Sequence, residues 1–514
     1  MSGGVDSSMC AVLLKEQGYS VTGLYMHNWN HEEETRDTPE DYDSASQHHH
    51  HHHHRNTAHL TEHLPKIPQG GRRPQSSRTG TTTTTATTTT TNTTTTPRTA
   101  IHHPKVCTSE RDWADVQEVC KALSIPCRRL DFSRQYWHQV FEVMLQGYEQ
   151  GFTPNPDISC NREIKFGQLV EWCHANGGLG PDRPGLLRQQ RGSSSYASSG
   201  ANSSNSSSDS IGGSLRRDEE TEPEGWDYLA TGHYAHVIID EATGRAKLMR
   251  ARDSNKDQTY YLSTLSEQVL RHALFPLADL DKPTIKAMAA APSSHPVLKR
   301  IVGEKKESMG ICFVGQRRRF GDFLKEYLKP TPGLVRVGGL DGQIIGQHQG
   351  LFQYTVGQAS GVTYGHYKWV VLRSDIPTNT LIVVEGTQNP LLYSPGLIAG
   401  SWHWISGQAP LSLPPAADVS SSSPSMTATM TADPEYPLVA QIRHRQTPQP
   451  CRVEVISPTT PGPSSSSEAH VPQFRVLFKD AQRAIAPGQH IVVYHEDECL
   501  GSGVILSSLP SSPQ

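Results

Sequence analysis

Several features are scarce or missing in this sequence of 514 residues. No run of about 18 apolar residues occurs, so the sequence predicts no membrane-spanning helix. Nine cysteines are too few for a disulfide scaffold and indicate individual buried or reactive thiols in a reducing compartment. The 47 Lys and Arg residues nearly balance the 51 Asp and Glu residues, which leaves a net charge of -4 and no basic tail. Any contact with a polyanion would therefore depend on a local basic patch.

The sequence is also poor in apolar residues, which make up 35% of it. The deficit lies in segments rich in His, Thr, Ser, Gly or Pro, near residues 30–104, 177–224, 407–434 and 457–467. Such segments bury too little apolar area to offset chain entropy, so we predict disordered insertions in an ordered scaffold of about 350 residues. The first segment includes seven consecutive histidines, which we interpret as a repeat expansion rather than a metal site.

The ordered segments fall into two kinds. Before about Gly333, segments with helical spacing alternate with short apolar strands, which predicts a parallel, doubly wound α/β sheet. The helical segments are 7–17, 114–123, 136–149 and 164–175, and the strands are 21–26, 127–132 and 228–231. Beyond Gly333, short strands separated by Gly, Pro and Asn predict an all-β part, most simply a small barrel.

The first motif with a chemical meaning is Ser-Gly-Gly-Val-Asp-Ser-Ser at residues 2–8, directly ahead of a helical segment. Two glycines let successive backbone N–H groups point into one concavity, and the following helix adds the positive end of its dipole. This cradle suits a pyrophosphate group, although the Gly-Lys-Ser/Thr ending of a Walker A loop is missing. The string resembles the loop of the PP-loop ATP pyrophosphatases, which split ATP into AMP and pyrophosphate and adenylate a substrate oxygen.

Two further motifs each contain a cysteine. In TPNPDISCNREIKF (153–166), two prolines stiffen a loop, and we expect Asp157 and Cys160 just before the helical N-terminus, where a thiolate is stabilised. In KKESMGICFVG (305–315), Cys312 stands between small residues and a basic run. A single cysteine is usually a small buried hydrophobe, but two cysteines in polar loops framed by Gly and Pro favour reactive thiols.

A basic patch surrounds the second of these cysteine motifs. Residues 299–329 contain nine Lys and Arg against four Asp and Glu, a local charge of +5 in a chain that is acidic overall. Such a local excess is typical of a surface that contacts a phosphate backbone.

Taken together, these motifs resemble the tRNA-specific 2-thiouridylase family, known as MnmA in bacteria and with a mitochondrial counterpart in eukaryotes. The resemblance also rests on GLYMHNW (23–29), ATGHY (230–234), DSNKDQ (253–258) and HQGLF (348–352), and it covers nearly the whole chain once the insertions are set aside. It implies a Rossmann-like PP-loop catalytic domain over 1–315, a small central domain over 316–390 and a C-terminal β-barrel over 391–514.

The resemblance implies an ATP-dependent 2-thiolation of the wobble uridine, position 34 of tRNA. The family adenylates O2 of this base and then replaces the oxygen with sulfur. Cys312 would receive a persulfide from a cysteine desulfurase relay. Cys160 would be the partner nucleophile that releases the sulfur or closes a disulfide with Cys312. Asp157 would lie beside the target base as an acid or base.

Binding residues carry over from the family position by position. ATP with Mg²⁺ is expected at Ser2, Gly3, Gly4, Val5, Asp6, Ser7, Met26 and Gly232, and no metal site built from side chains is expected. Contacts with tRNA are expected at Asn155, Pro156, Asp157, His233, Lys256, Asp257, Gln258, Arg443, His444 and Gln489. Cys107 and Cys120 also have family-like surroundings, and we expect a structural role for both.

The resemblance implies two kinds of partner: tRNAs of the Lys, Glu and Gln type, and a sulfur-relay protein or cysteine desulfurase. It implies a monomer that does not bind membranes. The compartment would be the mitochondrial matrix in a eukaryote, which the homopolymer insertions favour, or the cytoplasm in a bacterium. The sequence opens directly on a glycine-rich turn, so no transit peptide is visible in it. We expect the transit peptide to lie upstream of Met1.

The sequence departs from the family pattern in three places. The buried strand that normally precedes the loop is not in the sequence, so we expect the central strand to be absent or to lie upstream. Gln358-Ala359 replaces the usual Gln-Arg, and His444 stands where Tyr is common.

Two alternative functions stay open. One is another PP-loop adenylating ligase, against which the pair of Cys160 and Cys312 argues. The other is a truncated, catalytically impaired paralogue that only binds tRNA.

Overall fold

The computed structural model describes residues 1–29, 108–179, 226–305, 320–339, 342–409, 435–456 and 472–510. The predicted insertions fall almost wholly between these ranges, and so do Cys107 and Cys312. The predictions made for those segments therefore lie outside the described residues.

The N-terminal part is built from helices and short strands. Its helices are α1 (Val5–Glu16), α2 (Thr108–Leu123), α3 (Ser133–Tyr136), α4 (Glu142–Glu149), α5 (Pro156–Ser159), α6 (Leu169–Ala175), α7 (Thr259–Leu262), α8 (Glu267–Arg271), α9 (Lys282–Ala290), α10 (Pro296–Glu304) and α11 (Phe320–Leu324). π-Helical segments join α3 to α4 (Trp137–Phe141) and α5 to α6 (Cys160–Gln168). The strands are β1 (Gly23–His27), β2 (Cys127–Asp131), β3 (Leu229–Ala230), β4 (His236–Ile239), β5 (Ala246–Met249) and β6 (Ala273–Leu274). None of the helices in the described ranges has the length and apolarity that crossing a membrane requires.

Two parallel strand pairs belong to this part. β1 pairs with β2, starting with Gly23 opposite Cys127, and β3 pairs with β6 through two residues each. β1 alternates buried and half-buried residues, and its Tyr25 packs against Val116 and Cys120 of α2. Within the described residues no strand ladder joins the two pairs. The parallel pairing and the helices between the strands confirm the predicted α/β class.

The C-terminal parts are all-β, as the sequence predicts. Their strands are β7 (Gly333–Val337), β8 (Ile344–His348), β9 (Trp369–Asp375), β10 (Thr380–Glu385), β11 (Tyr393–Trp404), β12 (Leu438–Gln441), β13 (Gln449–Ile456), β14 (Gln473–Arg483), β15 (His490–His495) and β16 (Glu498–Ser508). The central sheet has the order β8-β7-β10-β9. The barrel runs β11-β14-β13-β12-β15-β16 and closes because β16 pairs back to β11, which leaves it no free edge.

One hairpin of the N-terminal part extends the sheet of the barrel. β4 and β5 pair with each other, and β5 pairs with β16 through Met249 opposite Glu498. Sequence reasoning missed this hairpin, because its partner strand lies near the other end of the chain. Backbone hydrogen bonds therefore connect the predicted catalytic domain to the barrel.

Strand β15 shows how the barrel and the N-terminal part share buried surface. Its residues are buried from His490 to Tyr494 without alternation. Ile491 and Val493 belong to the core of the barrel, whereas Val492 and Tyr494 belong to the core of the N-terminal part. Successive side chains of a strand point to opposite faces, so a strand buried on both faces is apolar throughout. This strand fixes the barrel against the domain that carries the glycine-rich turn.

Candidate active site

Residues 2–8, here called the phosphate loop, form a turn that leads into α1. Gly3 has a φ of +66°, a left-handed conformation that glycine adopts without strain. The Ser7 hydroxyl donates to the Gly4 carbonyl at 3.2 Å, and the Ser2 amide donates to the Ser7 hydroxyl at 3.1 Å. Gly4 caps α1 without a side-chain hydrogen bond, so the first amides of the helix are left for an anion.

Gly232 packs directly against the phosphate loop. A Cβ atom placed on Gly232 would lie 3.0 Å from the Ser7 nitrogen and 3.1 Å from the carbonyl carbon of Asp6. Gly232 follows β3, so the carboxyl end of this strand meets the amino end of α1. Met26 lies one residue before the carboxyl end of β1. The structure thus brings Gly232 and the loop residues that sequence analysis singled out to one place.

Asp6 is held by two residues that were not predicted as site residues. Lys282 Nζ donates to both carboxylate oxygens of Asp6 at 2.6 Å, and Tyr234 Oη donates to Oδ1 at 3.0 Å. Burial, and next the Asp6 carboxylate, raise the pKa of Tyr234, so its hydroxyl remains a donor. The run Asp281-Lys282-Pro283 is a signal for a helix start and carries no sign of the partner of Lys282.

The first cysteine motif folds differently from the expectation. The helix begins at Pro156, because Asn155 Oδ1 caps it by accepting from the Ile158 amide at 3.4 Å and because proline suits the first helical position. Asp157 and Cys160 are therefore inside the helix, and the prediction that they precede it is wrong. Cys160 begins the π-helical segment, a distortion that is frequent at functional sites.

Lys165 connects this helix with the region of the phosphate loop. Burial raises the pKa of Asp157, and the Lys165 ammonium opposes that rise. Burial lowers the pKa of His233, and the same ammonium lowers it further. Lys165 therefore lies near both side chains, and His233 directly follows Gly232. The ring centroid of Phe166, the residue after Lys165, lies 6.0 Å from that of His233, so this helix approaches the residue that follows Gly232.

Two barrel residues that were predicted to contact tRNA donate hydrogen bonds to the chain itself. Gln489 Nε2 donates to the carbonyls of Thr153 and Pro154, at 2.7 and 3.4 Å. Arg443 donates to the last carbonyl of β14. The Thr153 amide also donates to the Pro487 carbonyl at 2.8 Å. The barrel therefore holds the loop that leads into the helix of Asp157.

The loop of residues 253–258 contains three predicted tRNA contacts, two of which shape the loop. Asp257 is 7% exposed, and its two oxygens accept from a backbone amide at 3.0 Å and from a hydroxyl at 2.7 Å. Gln258 and Tyr234 bond each other twice, at 2.8 and 3.0 Å. Lys256 is half-buried and is the cationic member of the three.

His444 reaches from the barrel to the same region. Its ring centroid lies 4.4 Å from that of Tyr261. Burial, with Arg445 and Lys256 adding to it, lowers the pKa of His444 to about 4, so the imidazole is neutral at pH 7. Burial, and next the Asp157 carboxylate, raise the pKa of Tyr261 to about 12. Tyr261 therefore has His444 and Asp157 as neighbours, and residues from two domains converge beside the cysteine helix.

The two predicted catalytic cysteines differ in what the structure describes of them. Cys160 is 5% exposed, in the core beside Ile164. Cys312 lies outside the described residues. The last described residue before it is Lys305, whose Nζ donates to the Gly3 carbonyl at 2.9 Å. The segment of Cys312 therefore starts from a residue that contacts the phosphate loop.

The predicted basic patch of residues 299–329 is partly neutralised within the chain. Arg300 donates to Asp115 at 2.7 Å, and Lys305 donates to Asp112 at 2.8 Å, with both acceptors in α2. Arg300 in α10 and Lys305, the residue after α10, therefore stabilise the packing of α10 on α2. The charge offered to a polyanion by the described part of this patch is therefore smaller than the sequence indicates.

Within the described ranges, no three side chains of His, Cys, Asp or Glu come together as a group that could hold a metal ion. The fold and the loop define the class of the protein: a PP-loop α/β domain followed by two β-rich domains. One helix of the first domain carries the half-buried Asp157 and the buried Cys160.

Family models match the chain in three stretches. A tRNA methyl transferase HUP domain matches residues 1–60, 78–182 and 213–316. A tRNA methyl transferase PRC-barrel domain matches residues 321–385, and an aminomethyltransferase beta-barrel domain matches residues 394–505.

Curated relatives are similar over almost the entire chain. The tRNA-specific 2-thiouridylase MnmA of Tolumonas auensis is 32% identical over 511 residues, which are 98% of this chain and 95% of the relative. Proteins of the same name from Aeromonas salmonicida and Legionella pneumophila are also 32% identical over 98% of this chain, and over 95% and 96% of their own lengths. The chain belongs to the tRNA-specific 2-thiouridylase family, as its motifs predict.

Proposed function

We propose that this protein thiolates tRNA by replacing O2 of the wobble uridine, position 34, with sulfur at the expense of ATP. The observation that carries the proposal is the packing of Gly232 on the phosphate loop, with the next residue, His233, 6.0 Å between ring centroids from Phe166 in the segment that Cys160 begins. The loop suits the phosphates of ATP, and a carboxylate and a thiol lie in the adjoining helix for chemistry on a base. The names of the curated relatives support the same activity.

The first step would activate the base. A uridine carbonyl is a poor electrophile and its oxygen is a poor leaving group, so O2 attacks the α-phosphorus of ATP and pyrophosphate departs. The amides of Gly3 to Ser7 and the dipole of α1 would bind the phosphates and the charge that develops on them, with Mg²⁺ accompanying the nucleotide. Asp157 would accept the N3 proton of the base, because burial raises the pKa of its carboxylate and makes it a stronger base.

The second step would use two cysteines. The terminal sulfur of a Cys312 persulfide, supplied by a cysteine desulfurase relay, attacks C2 of the base, and AMP leaves with the oxygen. The Cys160 thiolate then attacks the Cys312 sulfur, the S–S bond breaks, and the terminal sulfur stays on C2 as the thiocarbonyl while Asp157 returns the proton to N3. A disulfide between Cys160 and Cys312 forms, and a dithiol reductant would return both thiols.

The target base must leave its stack to reach this site. Tyr261 and His444 would offer aromatic faces to a flipped base beside Asp157, and Lys256 would offer a charge to its phosphate. Asn155 and its neighbour at the helix start would border the same base. Asp257, Gln258, Arg443 and Gln489 would then act on tRNA chiefly by shaping this surface.

The remaining parts of the proposal follow the family. The substrates are tRNAs of the Lys, Glu and Gln type, the sulfur donor is a relay protein or a cysteine desulfurase, and the enzyme is a monomer. The mitochondrial matrix and the bacterial cytoplasm remain the two proposed compartments. Two of the matching family models carry the name methyl transferase, but methyl transfer does not need a loop that binds the phosphates of ATP, and the curated relatives are named 2-thiouridylases, so thiolation is favoured.

The test separates adenylation from sulfur transfer. The full-length chain is incubated with ATP, Mg²⁺, unmodified tRNA, cysteine and a cysteine desulfurase, and 2-thiouridine is measured in the digested tRNA by mass spectrometry. Pyrophosphate exchange into ATP reports the first step alone. We expect both reactions. Exchange without 2-thiouridine would favour another adenylating ligase, and tRNA binding without either reaction would favour the impaired paralogue.

Three variants test the roles of the thiols. Cys312→Ser should keep pyrophosphate exchange and lose sulfur loading, whereas Cys160→Ser should carry a persulfide on Cys312 and fail to thiolate tRNA. Cys173→Ser is the matched control, because Cys173 is buried in α6 and burial raises its pKa to about 11. A persulfide found only on Cys160 would reverse the roles, and none on either cysteine would remove the persulfide mechanism.

A further inference from the structure

We infer that Lys282 is the positioning residue of the phosphate loop and acts on the nucleotide through Asp6. The inference rests on the proposed use of ATP at this loop. Lys282 belongs to none of the motifs that indicate the family, and it stands 276 residues from Asp6 in the sequence.

The contact between the two residues is close, and its lysine side is buried. Lys282 Nζ lies 2.6 Å from each Asp6 oxygen, and the side chain of Lys282 is 8% exposed while that of Asp6 is 33% exposed. The ammonium also lies 5.9 Å from the centre of the Tyr234 ring. Burying an ammonium is costly unless a charged partner compensates it, so this geometry ties Lys282 to Asp6.

The position of Asp6 explains why the pair would matter for a nucleotide. Asp6 stands in the first turn of α1, next to the Ser7 amide that Gly232 packs against. A carboxylate so placed repels the phosphates that the loop would bind. The Lys282 ammonium offsets this charge, and its two hydrogen bonds fix the first turn so that the loop amides keep their direction.

Lys282 also connects the phosphate loop with the loop of residues 253–258. Its amide donates to Asp253 Oδ2 at 3.0 Å. Tyr234, the other partner of Asp6, bonds Gln258 twice. The same small network therefore fixes both the nucleotide side and the proposed tRNA side of the site, with Lys282 as the charge at its centre.

The test uses two variants of Lys282 and one control. Lys282→Met removes the charge and keeps the apolar stem, and Lys282→Arg keeps the charge. Lys286→Met is the control, because Lys286 is an exposed lysine one turn further along α9. Binding of a non-hydrolysable ATP analogue to the full-length chain is measured by calorimetry, pyrophosphate exchange gives KM and kcat, and the melting temperature is recorded without nucleotide.

We expect Lys282→Met to bind the analogue about 10²-fold more weakly than wild type, or about 2.7 kcal/mol, because it leaves the Asp6 carboxylate without its charged partner beside the phosphates. The KM for ATP should rise more than kcat falls, Lys282→Arg should recover most of the affinity, and Lys286→Met should equal wild type. Unchanged affinity in Lys282→Met, with only a lower melting temperature, would overturn the inference.

A double variant distinguishes action through Asp6 from direct contact. If Lys282 acts through Asp6, Lys282→Met should change affinity within about threefold when Asp6→Asn is already present, because coupled residues are not additive. If Lys282→Met alone fails to fold, the comparison of Asp6→Asn with the double variant still tests the inference, because the double variant contains no unpaired charge at this contact. Full additivity would overturn the inference in favour of direct contact. A wild-type chain that binds no ATP analogue would overturn the proposed function as well.

Discussion

Gln489 in the barrel donates a hydrogen bond of 2.7 Å to the carbonyl of Thr153, 336 residues away in the sequence. The neighbouring Gly488 has a φ of +90°, and a Cβ atom there would lie 2.6 Å from the Thr153 nitrogen, so the barrel approaches this loop as closely as glycine allows. Thr153 leads into the helix that carries Asp157. A residue predicted to bind RNA thus also sets the geometry of the proposed chemistry.

The packing of Gly232 on the phosphate loop predicts the effect of a single methyl group. In Gly232→Ala the new Cβ would lie 3.0 Å from the Ser7 nitrogen, so it must shift the loop or cover the amide. We expect pyrophosphate exchange to fall about 10²-fold with little change in the melting temperature.

Gly303→Ala is the control for this change, since nothing lies within 4 Å of a Cβ at that position in α10. Exchange should be unchanged in this variant, and the helix should gain up to about 1 kcal/mol from its higher propensity. Normal exchange in Gly232→Ala would contradict the placement of ATP phosphates beside Gly232.

The raised pKa of Asp157 predicts a cost in stability at neutral pH. The native state holds the Asp157 proton more tightly than the unfolded chain, so stability falls as pH rises from the unfolded value of 3.8 through the raised native value. Asp157→Asn removes this cost. It should melt higher than wild type at pH 7, with the difference shrinking towards pH 4, and should lose about 10²–10⁴ in thiolation rate. Thermal melts from pH 4 to 8 measure the first effect.

Glu110→Gln is a control of opposite sign for this measurement. The hydrogen bond from Arg129 lowers the pKa of Glu110, so its contribution is present above the unfolded pKa and is lost as pH falls. This variant should not melt higher than wild type at pH 7. An Asp157→Asn protein that is less stable than wild type at pH 7 would argue against a carboxylate that holds its proton more tightly in the native state.

His444 and Lys256 should affect tRNA binding in different ways. Since His444 has a pKa of about 4, it is neutral under ordinary conditions and acts through its ring on Tyr261. His444→Ala should weaken binding without changing the log–log salt dependence, and His444→Tyr should restore it. Lys256→Met should reduce the salt slope by about one, as expected for one lost phosphate contact. Filter binding from 50 to 300 mM salt, about the physiological range, measures both. A changed slope in His444→Ala would refute the neutral role.

The segment of residues 30–104 should be dispensable for folding. His27 Nδ1 lies 2.7 Å from the Ser109 hydroxyl, and Tyr25 Oη donates to the Ser109 carbonyl at 2.9 Å, so the flanking elements meet without it. A Gly/Ser linker of about ten residues spans such a gap, and loop length changes closure entropy only slowly. Replacing residues 30–104 should leave the melting temperature and thiolation near wild type. A collapse of the fold would show that the segment contains a supporting element.

Much of the architecture follows from local sequence patterns. The alternation of helical and strand periodicity before Gly333, and the short strands after it, predicted the α/β and all-β parts, because such periodicity records which face of an element is buried. The string at residues 2–8 predicted an anion-binding turn from its glycines and from the helix that follows them. The start of the cysteine helix is also encoded locally, by Asn155 as the cap and Pro156 as the first helical residue, although two prolines in a row of polar residues equally suggest a stiff loop.

Tertiary structure decided the contacts between distant elements. The pairing of Lys282 with Asp6, the bond from Gln489 to Thr153 and the ladder between β5 and β16 each join parts of the chain that lie hundreds of residues apart. No local pattern marks these partners, because a lysine at a helix start or a glutamine after a glycine has the same propensities whatever it later touches. The sequence by itself determined the family, the order of the elements and the phosphate loop. The packing of the barrel on the N-terminal domain decided which residues hold that loop and the cysteine helix in place, since only packed elements bring side chains within hydrogen-bond distance.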